Sequence, residues 1–363
     1  MLTLNEDQRL LMESARGAIA AEAPISQYRA LREPQGEGFS RAFWKRCGEM
    51  GWSGMLVAEA QGGSGFGIVG AGLVAREMAR NLALSPFLST AVLAATALAE
   101  GSPGQQRQWL PRIASAQAIV ALAHDEPPGG EAVSARREGG AFRLSGDKHF
   151  VLDGPVADAF LVSARIDDMA TLFLVEAGAP GVSRQTRILL DGRRVASLRL
   201  QSVEVAETAQ LPGGVRALER TLDVGRAVIA ASLSGVAEEA LRRTLDYLKQ
   251  RRQFGRAIGS FQALQHRAGL AHIAVENAWS ASLQALQGLD NGANSAAFDV
   301  AVAKSKASRT AEDVTAECLQ MHGGVGMTDA FDIGLYLKRA RVEGTLFGDA
   351  GFHADRVATM LGY

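Results

Sequence analysis

Apolar residues near the start of the chain fall at Leu10, Leu11, Ala15, Ala18 and Ile19. Steps of three and four residues line one face of a helix. The same spacing returns over residues 68–82 and 90–98, and Ser102-Pro103-Gly104 breaks it before a further helix through Trp109. From about residue 119 the period changes. Short alternating runs appear at 141–144, 149–152, 160–162, 171–175 and 198–205, punctuated by Gly139-Gly140, Gly146-Asp147, Asp153-Gly154-Pro155 and Pro180-Gly181. Alternation between such breakers predicts a compact all-β insert. Helical spacing resumes over 217–252, 260–286 and 295–321. The pattern predicts an α+β chain with a helical domain at 1–118, a β domain at 119–215 and a second helical domain at 216–363. Domain junctions of this kind favour ligand clefts.

The chain has 363 residues, which suggests two or three domains, and 47% hydrophobic residues suffice for sizeable cores. Thirty-eight Lys and Arg face 39 Asp and Glu. That balance gives no reason to expect binding to nucleic acid or to an anionic membrane. No unbroken apolar run reaches about 18 residues, so no membrane span is expected. The first residues are polar and acidic and do not read as a signal peptide, so a cytoplasmic protein is expected. Cys47 and Cys318 are expected to be buried free thiols, with a single disulfide as the alternative.

Gly65-Phe66-Gly67-Ile68-Val69-Gly70 spells G-x-G-x-x-G, but it lacks a strand before it and an acidic residue about 20 positions on. A tight glycine loop entering a helix is the better expectation. The six histidines show no metal-ligand spacing, so no metal is expected. No nucleophile elbow and no P-loop is present. The segment Tyr247 to Gln262 is richer in chemistry, with Arg251, Arg252, Gln253, Phe254 and Gly255 at a helix end. Arginine forks suit phosphate, although a basic turn is more often a solvated surface.

This segment resembles the RxQFGxxIxxFQ signature of acyl-CoA dehydrogenases. Gln320-Met321-His322-Gly323-Gly324-Val325-Gly326 is similar to that family's Q-x-x-G-G-x-G turn. Trp109-Leu110-Pro111 with Ala123-His124-Asp125-Glu126-Pro127 resembles its WLP and ALTEP run, and Gly146-Asp147-Lys148 its GxK strand. The likeness runs in order along nearly the whole chain. It implies an N-terminal helical domain, a central β-barrel or sandwich, and a C-terminal four-helix bundle. It also implies FAD, held extended between the β domain and the C-terminal helices, with a second subunit completing the site. By motif match, Arg251, Gln253, Phe254, Gln262, Gln320, Gly323 and Gly324 would hold its pyrophosphate and adenosine. Leu122, Asp125, Glu126, Phe150 and Leu152 would flank the flavin ring. Asp223 and Arg226, in the family's D-x-x-R, would contact acyl-CoA; a charge pair on one helical turn is the structural alternative.

The chain departs from the pattern in places. Asp125 and Leu152 stand where the family has threonines beside the flavin, and the GAGSD stretch is lost. The family's reaction takes an α-proton with a glutamate while a β-hydride goes to the flavin. Of the two positions known for that glutamate, one is Gly225 here and the other aligns with Gly348. Glu343-Gly344-Thr345 spells the family's E-G-T string about five residues early. Either a local deletion brings Glu343 to the flavin, or Glu343 belongs to a continuing helix. The resemblance thus implies an acyl-CoA dehydrogenase acting in fatty-acid or steroid-side-chain catabolism and passing electrons to an electron-transferring flavoprotein. The alternative is a subunit without its own base in a mixed oligomer, such as a heterotetramer, with a homologue. The Leu346-to-Ala350 ending resembles members of that second kind that act on steroid-side-chain CoA esters. An acyl-CoA dehydrogenase-like nucleic-acid binder is the remote third reading.

Overall fold

A computed structural model describes residues 3–33, 36, 38–167 and 169–363. In chain order the helices are α1 (Glu6–Glu22), α2 (Ile25–Leu31), α3 (Arg41–Glu49), α4 (Gly67–Arg80), α5 (Ala95–Ala99), α6 (Pro103–Ala114), α7 (Gly214–Gln250), α8 (Gln262–Asp290), α9 (Ala296–His322), α10 (Ile333–Thr345) and α11 (Ala350–Met360). The strands are β1 (Val120–Ala123), β2 (Ser134–Glu138), β3 (Ala141–Leu152), β4 (Ala159–Ile166), β5 (Met169–Glu176), β6 (Val182–Ile188) and β7 (Arg194–Ala206), then a small pair, β8 (Arg252–Gln253) and β9 (Arg256–Ala257). By internal contacts the chain divides into two units. One gathers Met1–Tyr28, Ile68–Ala83 and Arg226–Tyr363, the other Arg29–Gly67 and Leu84–Gly225.

The helical unit is built around α4, whose residues 68–79 are all buried. The N–H groups of Ile68 and Val69 donate to the Asp290 carboxylate at 2.7 and 2.8 Å. The G-x-G-x-x-G string therefore opens a helix whose N-terminus is already capped by an anion from α8, and it offers no cradle for a dinucleotide. A Cβ on Gly235 of α7 would overlap the carbonyl oxygen of Arg76 in α4. A backbone oxygen cannot swing aside, so glycine sets how closely α7 and α4 approach, despite costing a helix about 1 kcal/mol.

Charges lace this unit together. Fully buried Glu77 accepts from Nε and Nη2 of Arg16, both at 3.0 Å. Arg76 and Arg80 reach Glu238 at 2.8 and 2.9 Å, and Arg80 also meets Glu239 at 3.1 Å. Arg243 bridges Glu239 and Asp332, at 2.9 and 2.8 Å. A buried charge without a partner is expensive, so these pairs tie α1, α4, α7 and α10 as one network.

In the other unit, seven strands form one sheet. β5 takes one edge of β4 along its length. β1 and β2 run parallel to β4 at its two ends, β1 opposite residues 159–162 and β2 through Ser134 opposite Arg165. β3 joins β2 to β7, and β7 carries β6. Gly146-Asp147, expected to break two strands apart, instead lies inside the single strand β3, in an irregular stretch of its register with β7. β6 pairs only with β7 and is mostly exposed. With neither face buried its residues show no apolar alternation, which is why periodicity did not reveal it. Cys47 and Cys318 are free and buried. Among the described residues no helix is long and apolar enough to cross a membrane.

Asp153 turns the chain after β3 with a left-handed φ of 55°. Burial pushes its carboxyl up to about 6, while a 2.6 Å hydrogen bond from the Ser89 hydroxyl works the other way. The folded state then holds this proton more tightly than the unfolded chain does. Stability from this group is complete below the unfolded pKa and is lost as pH rises through about 6. Asp153→Asn keeps the turn and removes the titration. The variant is expected to lack this part of the fall in melting temperature between about pH 4 and 6, a difference on the order of 3 kcal/mol. Parallel melting curves across that range would refute it.

Candidate functional site

α7 stops at Gln250, and the basic segment after it folds as the β8–β9 hairpin. Phe254 and Gly255 form its tip, with φ of 53° and 78°. A phenylalanine in the left-handed region is uncommon and disfavoured. This one is also 90% exposed. The ring touches Phe261 edge-on at 6.2 Å, and the Arg256 guanidinium lies over Phe261 at 4.0 Å. Gln262 is the exposed first residue of α8.

Beside the hairpin lies a concavity of about 570 Å3, lined by Arg251, Gln253, Gln320, Gly323 and Gly324 among others. Five of the residues expected at the adenosine arm thus share one surface; Gln262 and Phe254 are outside its lining. Tyr247 and His322 form its aromatic wall, stacked at 4.4 Å and 17°. His322 Nδ1 donates to the Cys318 carbonyl at 2.8 Å, which fixes the ring. Gly323 has φ 66° and ψ −152°, a conformation open to glycine. A Cβ on Gly323 or Gly324 would meet none of the described residues within 4 Å. Nothing within the unit crowds those two positions, so the backbone stays bare for a ligand. The end of α9 presents carbonyls, and Arg251 supplies the positive charge that a diphosphate requires. The donor set fits the phosphate and adenosine portion of FAD.

The residues expected at the flavin ring belong to the sheet unit. Leu122 and Leu152 are buried in it, whereas Asp125, Glu126 and Phe150 reach its surface. Phe150 has a left-handed φ of 51° and is about half exposed. Glu126 is tied to fully buried Lys148, whose ammonium also donates to Ser163 Oγ at 2.7 Å and the His124 carbonyl at 3.0 Å. Burial pulls this ammonium below the usual lysine range, and the Glu126 carboxylate pulls it back up. The His149 N–H donates to the Asp125 carbonyl at 2.7 Å. The acidic run after β1 and the GxK run in β3 are therefore one physical device. Lys148 orders residues 124–126, a role the sequence motif contains but does not explain.

Asp223 and Arg226 are both largely buried on α7. Arg226 spends its Nε on the Phe347 carbonyl, at 3.1 Å. Glu343 lies on an unbroken α10, 4% exposed, and accepts from Ser232 Oγ at 2.7 Å, with Arg339 at 3.7 Å. Gly348 sits in the turn after α10 with φ 103°, and a Cβ there would overlap the Phe352 ring.

Known proteins align with both ends of the chain. Residues 5–117 match the acyl-CoA dehydrogenase N-terminal domain, and residues 213–362 its C-terminal domain. Acyl-CoA dehydrogenase FadE27 of Mycobacterium tuberculosis is 32% identical over 332 residues, which is 89% of this chain and 88% of that one. The chain belongs to the acyl-CoA dehydrogenase family. The crystal structure of the ChsE4-ChsE5 complex from M. tuberculosis contains a chain 31% identical, with a TM-score of 0.94 over 99% of this chain and 98% of that one. The Tcur3481-Tcur3483 steroid ACAD gives 31% identity and a TM-score of 0.91 over the same shares. This acyl-CoA dehydrogenase family member accordingly has the family's α+β fold of N-terminal helices, a central curled sheet and a C-terminal helical bundle. The family binds FAD, and the Arg251 concavity has the donors for part of it.

Proposed function

We propose that this chain is the subunit without a general base in a mixed acyl-CoA dehydrogenase oligomer, contributing to an FAD site while a homologous partner supplies the base. The observation that supports this reading is the condition of Gly348 and Glu343, the candidates that remain beside Gly225. Gly348 carries no side chain and has no room for one. Glu343 is buried in a continuous helix and is already held by the Ser232 hydroxyl. FAD, when bound, supplies the hydride acceptor for α,β-desaturation of an acyl-CoA thioester, with an electron-transferring flavoprotein as the onward acceptor. Arg251, Gln320 and the Gly323-Gly324 backbone would hold its phosphate and adenosine arm. Similarity to a steroid ACAD and to the two-chain ChsE4-ChsE5 complex supports a steroid-side-chain CoA ester as substrate and a mixed assembly. Leu270 and Ile273, 70% and 58% exposed on α8, give an apolar surface suited to pairing.

The second reading is a self-sufficient dehydrogenase with Glu343 as base, favoured by the Glu343-Gly344-Thr345 string. Anaerobic addition of acyl-CoA thioesters, steroid-side-chain esters included, separates the two. The purified chain alone is expected to keep its flavin colour, and the assembly with its homologous partner to bleach. In that assembly Glu343→Gln is expected to bleach at the wild-type rate. Bleaching by the chain alone that falls about 10²- to 10⁴-fold in Glu343→Gln would establish Glu343 as the base and overturn the proposal.

A further inference from the structure

The turn between α10 and α11 is held from three helices. Phe347 and Gly348 are both left-handed, with φ of 56° and 103°. Two successive residues of this kind turn their carbonyls toward donors inside the helical unit. The Phe347 carbonyl accepts from Arg226 Nε of α7 and from His353 Nε2 of α11, both at 3.1 Å. The ammonium of Lys304 on α9 is fully buried and donates to three oxygens: Gly344 O at 2.9 Å, Gly348 O at 2.9 Å and Ser308 Oγ at 3.0 Å. Three N–H bonds to three acceptors satisfy an ammonium completely. Gly344 O lies near the C-terminus of α10, where a cation is favoured. Asp349 then caps α11 by accepting from the Phe352 N–H at 2.8 Å.

The cap directs the ring of Phe352 into the space that a side chain at position 348 would need. A Cβ there would also come within 2.9 Å of His353 Nε2. The Arg226 guanidinium lies over the same ring, 6.0 Å from its centre. His353 presents one N–H to the turn, and its buried Nδ1 has no partner among the described residues. Such a ring is the neutral form. Burial, with Arg226 and Lys304 close by, brings its pKa down to about 4. A charged imidazole beside those two cations would be costly.

We propose that this turn is a built seal: Lys304, Arg226 and His353 clamp residues 344–348, and Phe352 closes the space at position 348, so that this chain cannot accept a carboxylate there. The inference deepens the reading of the chain as a subunit without a base and rests on it for its functional meaning. It also gives Arg226 a positioning role within its own unit, beyond any contact with acyl-CoA.

The seal is tested by readouts other than flavin reduction. Gly348→Ala is expected to lower the melting temperature of the holo assembly. In a Phe352→Ala background the same change is expected to lower it less, because the ring is gone and only the backbone strain remains. Equal losses in the two backgrounds, or no loss in either, would show that Phe352 is not the seal. Lys304→Met fills the same space without the ammonium, and is expected to raise amide hydrogen exchange over residues 345–351 about tenfold or more, as local opening free energies fall. Unchanged protection there would overturn the clamp. These outcomes are independent of catalysis. If the wild-type chain alone bleaches with substrate, the base-lacking reading fails while the melting and exchange results still judge the seal.

Discussion

Replacing Arg251 by alanine is expected to raise the FAD dissociation constant roughly 10- to 150-fold, as read by flavin fluorescence on the stripped and reconstituted assembly. One charge-assisted hydrogen bond to phosphate is worth about 1.5–3 kcal/mol, and that free energy converts to this range. Arg251 lies in the concavity with Gln320 and the bare backbone of Gly323 and Gly324. The guanidinium has no ion pair with any described residue, so its loss strands no protein carboxylate. The effect should therefore appear in cofactor affinity and leave the unfolding of the apo chain nearly unchanged. An unchanged dissociation constant would remove Arg251 from the site.

The second large effect is expected at Glu126. Lys148 has no exposed surface, and Glu126 is the carboxylate its ammonium meets. Removing one partner of a buried ion pair costs roughly 3–5 kcal/mol, because the remaining charge stays out of water. Glu126→Ala should fall near the lower end. Its side chain is about a third exposed, and Lys148 keeps Ser163 and the His124 carbonyl as acceptors. Urea denaturation measures the loss. The double variant Glu126→Ala with Lys148→Met should recover most of it, since no charge is then left stranded. A single-variant loss below about 1 kcal/mol would mean that the pair behaves like a surface bridge and does not order residues 124–126.

Some of this protein was legible in its residues. Apolar spacing marked α1, α4 and the long helices α7, α8 and α9, because a helix packed on one side repeats its buried face every turn. Ser102 announced α6, and the structure shows its capping box with Gln105 and Pro103 at the first turn. α3 carries its three buried residues, Phe43, Trp44 and Cys47, within five positions, too short a run for a period to emerge. Chemistry followed the same rule. Arg251, Gln320, Gly323 and Gly324 stood out because their residue types and local spacing repeat a family signature, and the fold brings the two segments to one concavity.

Other features depend on residues far apart in the chain. Asp290 caps α4 from more than 220 positions away, which turned a dinucleotide-like string into an ordinary helix start. Lys148 binds Glu126 across 22 positions, so a motif lysine became the support of a motif carboxylate. Glu343 spells a base in the sequence, and only the path of α10 commits it to Ser232, 111 positions away. Gly348 reads as a missing side chain; in the structure the ring of Phe352 occupies the space a Cβ there would need, and donors from α7, α9 and α11 hold the turn. The sequence by itself determined the order of helical and β segments, the family signature and the donors of the Arg251 concavity, since each is written in residues close together. Tertiary structure decided which charges are buried, which helix end is capped and what fills the space at position 348. Those outcomes depend on desolvation and close packing between segments, and neither leaves a local period in the chain.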